Sequence, residues 1–254
     1  MFPNSANVYD SFGEVLMKTG KHDLAIQNYK KSLELNPQNS NAADMLKLIE
    51  EEKKNERILR TRYFGQKTPD TIPELFAPGI VSINGQYEYG VSFSPDLNEI
   101  YYSVEKEGDR ASVYYSKLVG NNWTRPQKAN FTKGKKQAEM EAFVAPDGKK
   151  VFFTAYDSMN VKIWYADRTP TGWGEAKKLD SPINNDIVFY STLAANGDIY
   201  YTNISKRKQY FAPCKNGKYP EVFEAGNQFG GHGFISPNKD ILLVDAFKIM
   251  INQR

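Results

Sequence analysis

A short strand–turn–strand phrase recurs four times in the C-terminal two thirds of the chain. Three of its turns carry Pro followed by Asp or Asn, and the third turn along the chain carries Asn-Gly without Pro. Apolar or aromatic runs flank each turn, and the intervals of about 42 to 51 residues are within or near the period of propeller blades. Pro presets the backbone angle of a tight turn, and Asp, Asn and Gly tolerate positive φ. The phrase therefore predicts a hairpin of two hydrophobic strands in each copy. The four turns are 94–98, 145–149, 194–198 and 236–240.

Further strand-like phrases follow the first three hairpins at matching offsets. Third strands are predicted at 113–116, 163–166 and 209–212, and outer strands at 123–126, 173–179 and 219–222. The chain contains 16 Tyr, 15 Phe and 3 Trp, and such rings favour pleated, half-buried surfaces. A recurring unit of four antiparallel strands is what a propeller blade requires.

These phrases resemble the TolB-like, WD-repeat-like propeller repeats of bacterial envelope proteins, over roughly residues 75–247. The resemblance implies a scaffold fold and a periplasmic or cell-envelope location, although residues 1–5 show no secretory signal. Three full blades and part of a fourth are predicted. Either an N-terminal outer strand and the region of Ile249 complete a small fourth blade, or the propeller is truncated. Truncation would leave an open blade edge, through which the chain could self-associate.

The first 60 residues follow a helical rather than a strand period. Apolar residues predict two helices separated at Gly20, the second ending before Pro37, and a third helix from about 41 to 60. The spacing resembles a tetratricopeptide repeat, whose large and small positions are matched by Tyr9, Phe12, Gly13, Leu16, Ala25, Tyr29, Ser32 and Pro37. Small Gly13 and Ala25 predict a close helix crossing, with Tyr9, Phe12 and Tyr29 filling the volume around it.

The predicted fold class is therefore α+β and multidomain. Residues 1–62 form a tetratricopeptide helical hairpin with a capping helix, 63–74 a linker, and 75–254 an incomplete TolB-like propeller. A similar pairing occurs in envelope proteins of the Bacteroidota. The tetratricopeptide resemblance implies a partner-binding groove lined by Asn7, Asp10, Glu14 and Met17.

Composition excludes several classes of function. A net charge of +3 is too small to indicate nucleic acid as a partner, and one cysteine allows neither an intramolecular disulfide nor a multi-cysteine metal site. No apolar run reaches the roughly 18 residues of a membrane span. Nucleophile-elbow, metal and nucleotide motifs are absent, so we expect no catalytic residue, metal or cofactor.

Five residues are candidates for the channel of the propeller. Glu139 and Glu141 lie at i and i+2 of an innermost strand, which predicts that their carboxylates point the same way. His232 leads into another innermost strand, and either a channel-lining or a core position is open to it. The full set of channel candidates is Glu88, Glu139, Glu141, Tyr190 and His232.

Two functions from different classes follow. The first is a non-enzymatic scaffold that binds a protein or peptide at the helical groove and at the channel face of the propeller. The alternative is the propeller of a carbohydrate-active or peptidase-associated enzyme, with chemistry at Glu139, Glu141 and His232. Turnover that depends on either glutamate would distinguish the two.

Overall fold

The computed structural model describes residues 4–59, 62–67, 71–226 and 230–245. The chain divides into two compact units, Met1–Ile80 and Val81–Arg254. The first contains helices and the second antiparallel sheets.

The N-terminal unit begins with three helices. They are α1 (Ala6–Lys18), α2 (His22–Leu35) and α3 (Ser40–Leu59). Gly20 adopts φ 72° between α1 and α2, the left-handed conformation that ends a helix and that glycine adopts at little cost. The predicted helices and the break between them are confirmed.

The crossing of α1 and α2 depends on Gly13. A β-carbon at Gly13 would lie 2.7 Å from Cε1 of the fully buried Tyr29 ring, so the predicted close approach is confirmed. The prediction that Phe12 fills the same volume is wrong. The residues that α1 buries are Gly13 and Leu16, and Phe12 remains 46% exposed.

The stretch after α3 contributes its own contacts to the helical unit. A 3-10 helix spans Arg62–Gly65, and the Phe64 and Phe76 rings meet edge to face at 5.7 Å. The side chain of Gln66 donates to the carbonyl of Leu75 and accepts from the amide of Ala77. Within the predicted linker 63–74, Phe64 is therefore packed and Gln66 is hydrogen-bonded, whereas residues 71–74 are exposed.

The second unit is built from antiparallel sheets in chain order. A 3-10 helix at Pro182–Asn185 lies between the second and the third sheet. The first sheet contains β1 (Tyr87–Phe93), β2 (Glu99–Glu105), β3 (Ser112–Val119), β4 (Asn122–Trp123) and β5 (Gln127–Lys128). The second contains β6 (Ala138–Val144), β7 (Lys150–Asp157), β8 (Asn160–Thr169), β9 (Gly172–Trp173) and β10 (Lys177–Lys178). The third contains β11 (Val188–Leu193), β12 (Ile199–Asn203), β13 (Lys208–Ala212) and β14 (Phe223–Glu224). The fourth contains β15 (Gly233–Ile235) and β16 (Leu242–Val244).

All four predicted hairpins are present, as are the predicted third strands. The outer strands of the first and third sheets differ from the prediction, whereas β10 of the second sheet lies within the predicted 173–179. Trp123 and Trp173 lie in two-residue strands that fold back on the ends of β3 and β8, and the outer strands proper are β5 and β10. In the third sheet the outer strand is Phe223–Glu224, beyond the predicted 219–222.

The sheets pack in a propeller-like order. The first strands of successive sheets contact one another, β1 with β6, β6 with β11 and β11 with β15. One buried apolar cluster lies between the first and second sheets and another between the second and third. These seams form the core of the unit, and they bring the first strands together at its centre.

The fourth sheet presents an edge. Among the described residues, β16 pairs with β15 on one side and with no strand on the other. Ile241 and Leu243 are largely exposed there. Self-association through this edge stays a prediction.

Candidate functional site

The first strand of each complete sheet contains a bulge at the same place. Strand register shifts there in β1, β6 and β11, and the bulged residues Gly90, Glu141 and Tyr190 have φ of 60°, 58° and 48°. An extra residue in one strand breaks the alternation of side chains between the two faces of a sheet. The bulge therefore re-aims the residues that face the centre.

Four residues share one register position, which in the first three sheets lies just before the bulge. Tyr89, Met140 and Phe189 pair with Ser103, Thr154 and Thr202 of the second strands, and His232 accepts a backbone hydrogen bond from Asp245 at the matching place. Of these four residues, only His232 is predicted from the sequence to lie at the centre.

Buried hydroxyls connect consecutive sheets at this level. Ser103 Oγ accepts from the amide of Glu141 at 2.7 Å, and Thr154 Oγ1 accepts from the amide of Tyr190 at 3.2 Å. Thr202 Oγ1 donates to the carbonyl of Gly231 at 2.9 Å. Sequence reasoning missed these residues. Their signal is a hydroxyl side chain directly after the aromatic pair of each second strand.

Glu139 and Glu141 do not point the same way, which corrects the prediction from their spacing. Glu139 accepts from the amides of Phe131 and Thr132 and from Thr132 Oγ1, at 2.5 to 3.0 Å. Glu141 instead reaches the centre, because the bulge that includes it interrupts the alternation. Glu139 therefore holds the loop before β6 and lies outside the central cluster.

The Glu141 carboxylate is almost completely buried, with its side chain 1% exposed. Its Oε2 accepts from Thr154 Oγ1 at 3.1 Å and from the amide of Tyr190 at 2.9 Å. Its Oε1 lies 3.2 Å from Nε2 of His232. A buried carboxylate is stable only with such partners, and Glu141 has two at Oε2 and one at Oε1.

His232 lies between two carboxylates. Its Nδ1 is 2.9 Å from Oδ2 of Asp245, and its backbone amide donates to Oδ1 of the same residue at 2.8 Å. Asp245 occupies the register position that Ser103, Thr154 and Thr202 fill in the other sheets. Asp245 is not among the residues predicted from the sequence, although it follows its turn by the same number of residues as Ser103 and Thr154.

The hydrogen bond to Glu141, together with that to Asp245, raises the pKa of His232 to about 9. Burial works against this shift but does not cancel it. Burial and the charges of Glu141 and Asp245 raise the pKa of Tyr190 to about 12. At neutral pH the cluster is an imidazolium between two carboxylates beside a neutral phenol. Since both ring nitrogens are engaged, His232 has no free nitrogen to accept a substrate proton.

Aromatic rings surround His232. The Tyr190, Phe189 and Tyr89 ring centroids lie 4.6, 5.6 and 6.4 Å from that of the imidazole. Tyr87 stacks on Tyr89 at 5.1 Å and is 64% exposed. We call Tyr87, Tyr89, Phe189, Tyr190 and His232 the central aromatic cluster.

The structure brings three of the five channel candidates together, namely Glu141, Tyr190 and His232. Glu139 lies apart, as described, and Glu88 accepts from the amide of Ile83 at 3.1 Å. Within the described residues no three His, Cys, Asp or Glu side chains are arranged to hold a metal ion. None of the described helices combines the length and apolar character needed to cross a membrane.

The four groove candidates have different surroundings in the helical unit. Asn41 of α3 donates to Asp10 at 2.9 Å and to Glu14 at 3.3 Å. Asn7 is exposed, whereas Met17 packs against the helical core. Asp10 and Glu14 therefore already share an amide donor.

Comparison with known proteins gives only distant similarities. No family model matches the chain, and no curated protein matches it. Among solved structures, TolB from Acinetobacter baumannii is similar over 63% of this chain and 37% of its own, at 18% identity and a TM-score of 0.45. The gluconolactonase XC5397 from Xanthomonas campestris is similar over 57% and 49%, at 9% identity and a TM-score of 0.42. The β-propeller domain of Myceliophthora thermophila Swd1 is similar over 65% and 49%, at 8% identity and a TM-score of 0.41.

In each of these three cases the chain spans about half or less of the matched structure.

Proposed function

We propose that this chain is a non-catalytic binding scaffold, and that its β unit holds a protein or peptide partner at the central aromatic cluster. One observation carries the proposal: partly exposed rings surround a histidine whose two nitrogens are both bonded to carboxylates. The acid–base groups at the centre hold sheets together, and the rings around them remain accessible to a partner.

The rings supply the binding surface. Tyr and Phe are enriched where proteins bind one another, because a ring buries a large area and loses little conformational entropy. Tyr87 is 64% exposed and stacks on Tyr89, which in turn approaches His232. An exposed aromatic surface of this kind indicates an interaction site.

The charges at the centre favour a basic partner. Glu141 and Asp245 contribute two negative charges, and His232 contributes one positive charge. The pKa of Tyr89 is raised by burial and by the charges of Glu141 and Glu105, which places another carboxylate near the cluster. A lysine or arginine side chain of a partner would gain from these charges and from the faces of the rings.

The proposal is tested by partner capture with Tyr87→Ala. The intact chain is immobilised, and proteins from an envelope extract are quantified against Val119→Ala, a control at a residue 65% exposed on β3. We expect the same melting temperature for both variants and at least tenfold weaker capture by Tyr87→Ala alone. Equal capture by the two variants would overturn the central docking site. Turnover of glycans or peptides that disappears in Glu141→Gln would overturn the non-catalytic assignment.

The helical unit is proposed as a second, tetratricopeptide-type surface for a peptide of the same partner, with an envelope location for both units. We expect Asn7→Ala with Asp10→Ala to abolish the capture that depends on this unit, without a change in melting temperature. Asn41→Ala provides the comparison, since it frees Asp10 and Glu14. Capture that survives the double substitution would contradict the groove.

A further inference from the structure

A cleft of about 500 Å³ lies between the second and third sheets. It opens beside the hairpin turns at 145–147 and 195–197, away from the residues of the central aromatic cluster. Its walls are mainly apolar and aromatic, and they include Phe152, Tyr165, Leu179, Leu193, Tyr219 and Cys214. The volume lies in the range of small-ligand sites.

At the equivalent position between the first and second sheets, side chains fill the space. Arg168 donates two parallel hydrogen bonds to Glu99, at 2.9 and 2.7 Å, and its guanidinium lies 3.7 Å from the centroid of the Trp173 ring. Trp173 Nε1 donates to Tyr101 Oη at 2.9 Å. This cluster divides the seam into two recesses, of about 210 and 440 Å³.

The second seam carries different residues at the same repeat positions. Cys214 stands where Arg168 would be, and Tyr219 where Trp173 would be. On the opposite wall Lys150 replaces Glu99 and Phe152 replaces Tyr101. Among the described residues that line this seam, none joins the two walls by side-chain hydrogen bonds as Arg168 does, and the space is one continuous cleft.

The cleft is suited to a flat ring. The Phe152 ring lies 6.0 Å from Tyr165 and meets Tyr219 nearly perpendicularly at 6.4 Å. Tyr219 Oη donates to the carbonyl of Gly197, which fixes its ring as a wall. A ring inserted among these three would form the offset or edge-to-face contacts that aromatic groups prefer.

The charge of the wall is reversed relative to the first seam. In the first seam Glu99 pairs with Arg168 of the next sheet. Lys150 instead pairs with Asp167 of its own sheet, and no described residue of the third sheet supplies it with an anion. Asp167 is shared with Lys177. The rim also carries Asp147, Asp180 and Lys218. The two rim aspartates disfavour a ligand with several negative charges, but Lys150 can accept one.

We propose that this cleft binds a small aromatic monocarboxylate, with its ring among Phe152, Tyr165 and Tyr219 and its carboxylate at Lys150. The site goes beyond the proposed scaffold function and does not depend on it. Tyr87→Ala, which tests the scaffold, leaves the cleft untouched, so the two can fail separately.

The test is calorimetric titration of the intact chain with indole-3-propionate. We expect saturable binding, weakened at least tenfold in Lys150→Met and unchanged in Lys149→Met, a neighbouring exposed lysine outside the cleft. Uncharged indole should bind wild type and Lys150→Met alike. Absence of saturation at millimolar indole-3-propionate would overturn the proposal, as would equal affinity for tryptamine.

Cys214, the single cysteine, gives a second readout that requires no substitution. Its alkylation by iodoacetamide should slow at least fivefold with bound indole-3-propionate, because the thiol lines the cleft. An unchanged alkylation rate under saturating ligand would place the ligand elsewhere. Equally tight binding of N-acetyl-tryptophanamide would instead assign the cleft to an aromatic side chain of a polypeptide and overturn the carboxylate class.

Discussion

Nε2 of His232 lies 3.2 Å from Oε1 of Glu141, although the two residues are 91 positions apart in the chain. Glu141 belongs to the bulge of β6 in the second sheet, and His232 directly precedes β15 in the fourth. Asp245, directly after β16, holds the other nitrogen of the same ring. The histidine therefore links the fourth sheet to the second across the centre of the unit. We call this Glu141–His232–Asp245 link the clasp.

The first prediction concerns stability at alkaline pH. The pKa of His232 is raised from 6.5 to about 9. The stabilisation of the folded state by protonated His232 is therefore complete below pH 6.5 and is lost as the pH rises through 9. We expect the free energy of unfolding to fall by about 1 to 2 kcal/mol over this interval, after allowing for solvent screening. Denaturant titrations at pH 6 and pH 9.5 measure it. His232→Asn should remove most of the difference, and an equal difference in the variant would contradict the clasp.

The second prediction separates the two glutamates. Both are buried and accept hydrogen bonds, so each change to Gln should cost about 1 to 3 kcal/mol. Only Glu141→Gln should also flatten the alkaline pH dependence, since Glu141 bonds to His232 and Glu139 does not. Urea unfolding of both variants at the two pH values decides the point. The same pH dependence in both variants would contradict the prediction that only Glu141 is coupled to His232.

The third prediction tests the hydroxyls that connect the sheets. Thr154→Val keeps the shape of a fully buried side chain but removes the donor to Glu141 and one of the two acceptors of the Tyr190 amide, which keeps its bond to Glu141. A hydrogen bond to a charged group contributes about 1.5 to 3 kcal/mol, and we expect that loss of unfolding free energy. Thr154→Ser should retain most of the stability. An unchanged free energy of unfolding in Thr154→Val would show that these hydrogen bonds contribute little.

The fourth prediction compares two ion pairs. Arg168→Lys removes the two-pronged contact with Glu99 and the stacking on Trp173, and should lower the unfolding free energy by about 1 to 2 kcal/mol. Lys135→Met breaks the exposed pair with Glu175 and should cost clearly less, because solvent screens that pair. Thermal unfolding of the two variants provides the comparison. Equal costs would mean that the first seam does not depend on the Arg168 cluster.

The pH dependence of the Arg168 cluster has the opposite sign to that of His232. Burial raises the pKa of Glu99, but the hydrogen bonds and charges of Arg168 and Lys117 outweigh it and hold that pKa below its usual value. The resulting stabilisation is present above pH 4.5 and is lost as the pH falls through the lowered pKa.

Much of the β architecture could be predicted because its turns repeat. Pro, Asp, Asn and Gly at a regular interval marked each hairpin, and helical spacing with Gly20 marked the break between α1 and α2. The central cluster could not be predicted in the same way. A bulge is one extra residue, and it reverses the direction of every later side chain without changing the composition of the strand.

Glu141 and Tyr190 illustrate this limit, since both have positive φ that nothing in their residue type indicates. The partnership of His232 with Asp245 and Glu141 depends on the order in which the sheets meet, which one repeat does not encode. The predicted burial of Phe12 is also wrong. A helical pattern identifies the apolar face of a helix, but it does not show which residues of that face contact the next helix.

Nitrogen-detected NMR of the histidine side chains tests the central claim most directly. The chain has two histidines, so His22→Asn assigns both signals. We predict that at pH 7 His232 is an imidazolium, protonated on both nitrogens, and that it titrates near pH 9. A neutral tautomer at pH 7 with a pKa near 6.5 would mean that a ring nitrogen is free to act as a base, and would contradict the account of the centre as a clasp beneath a binding surface.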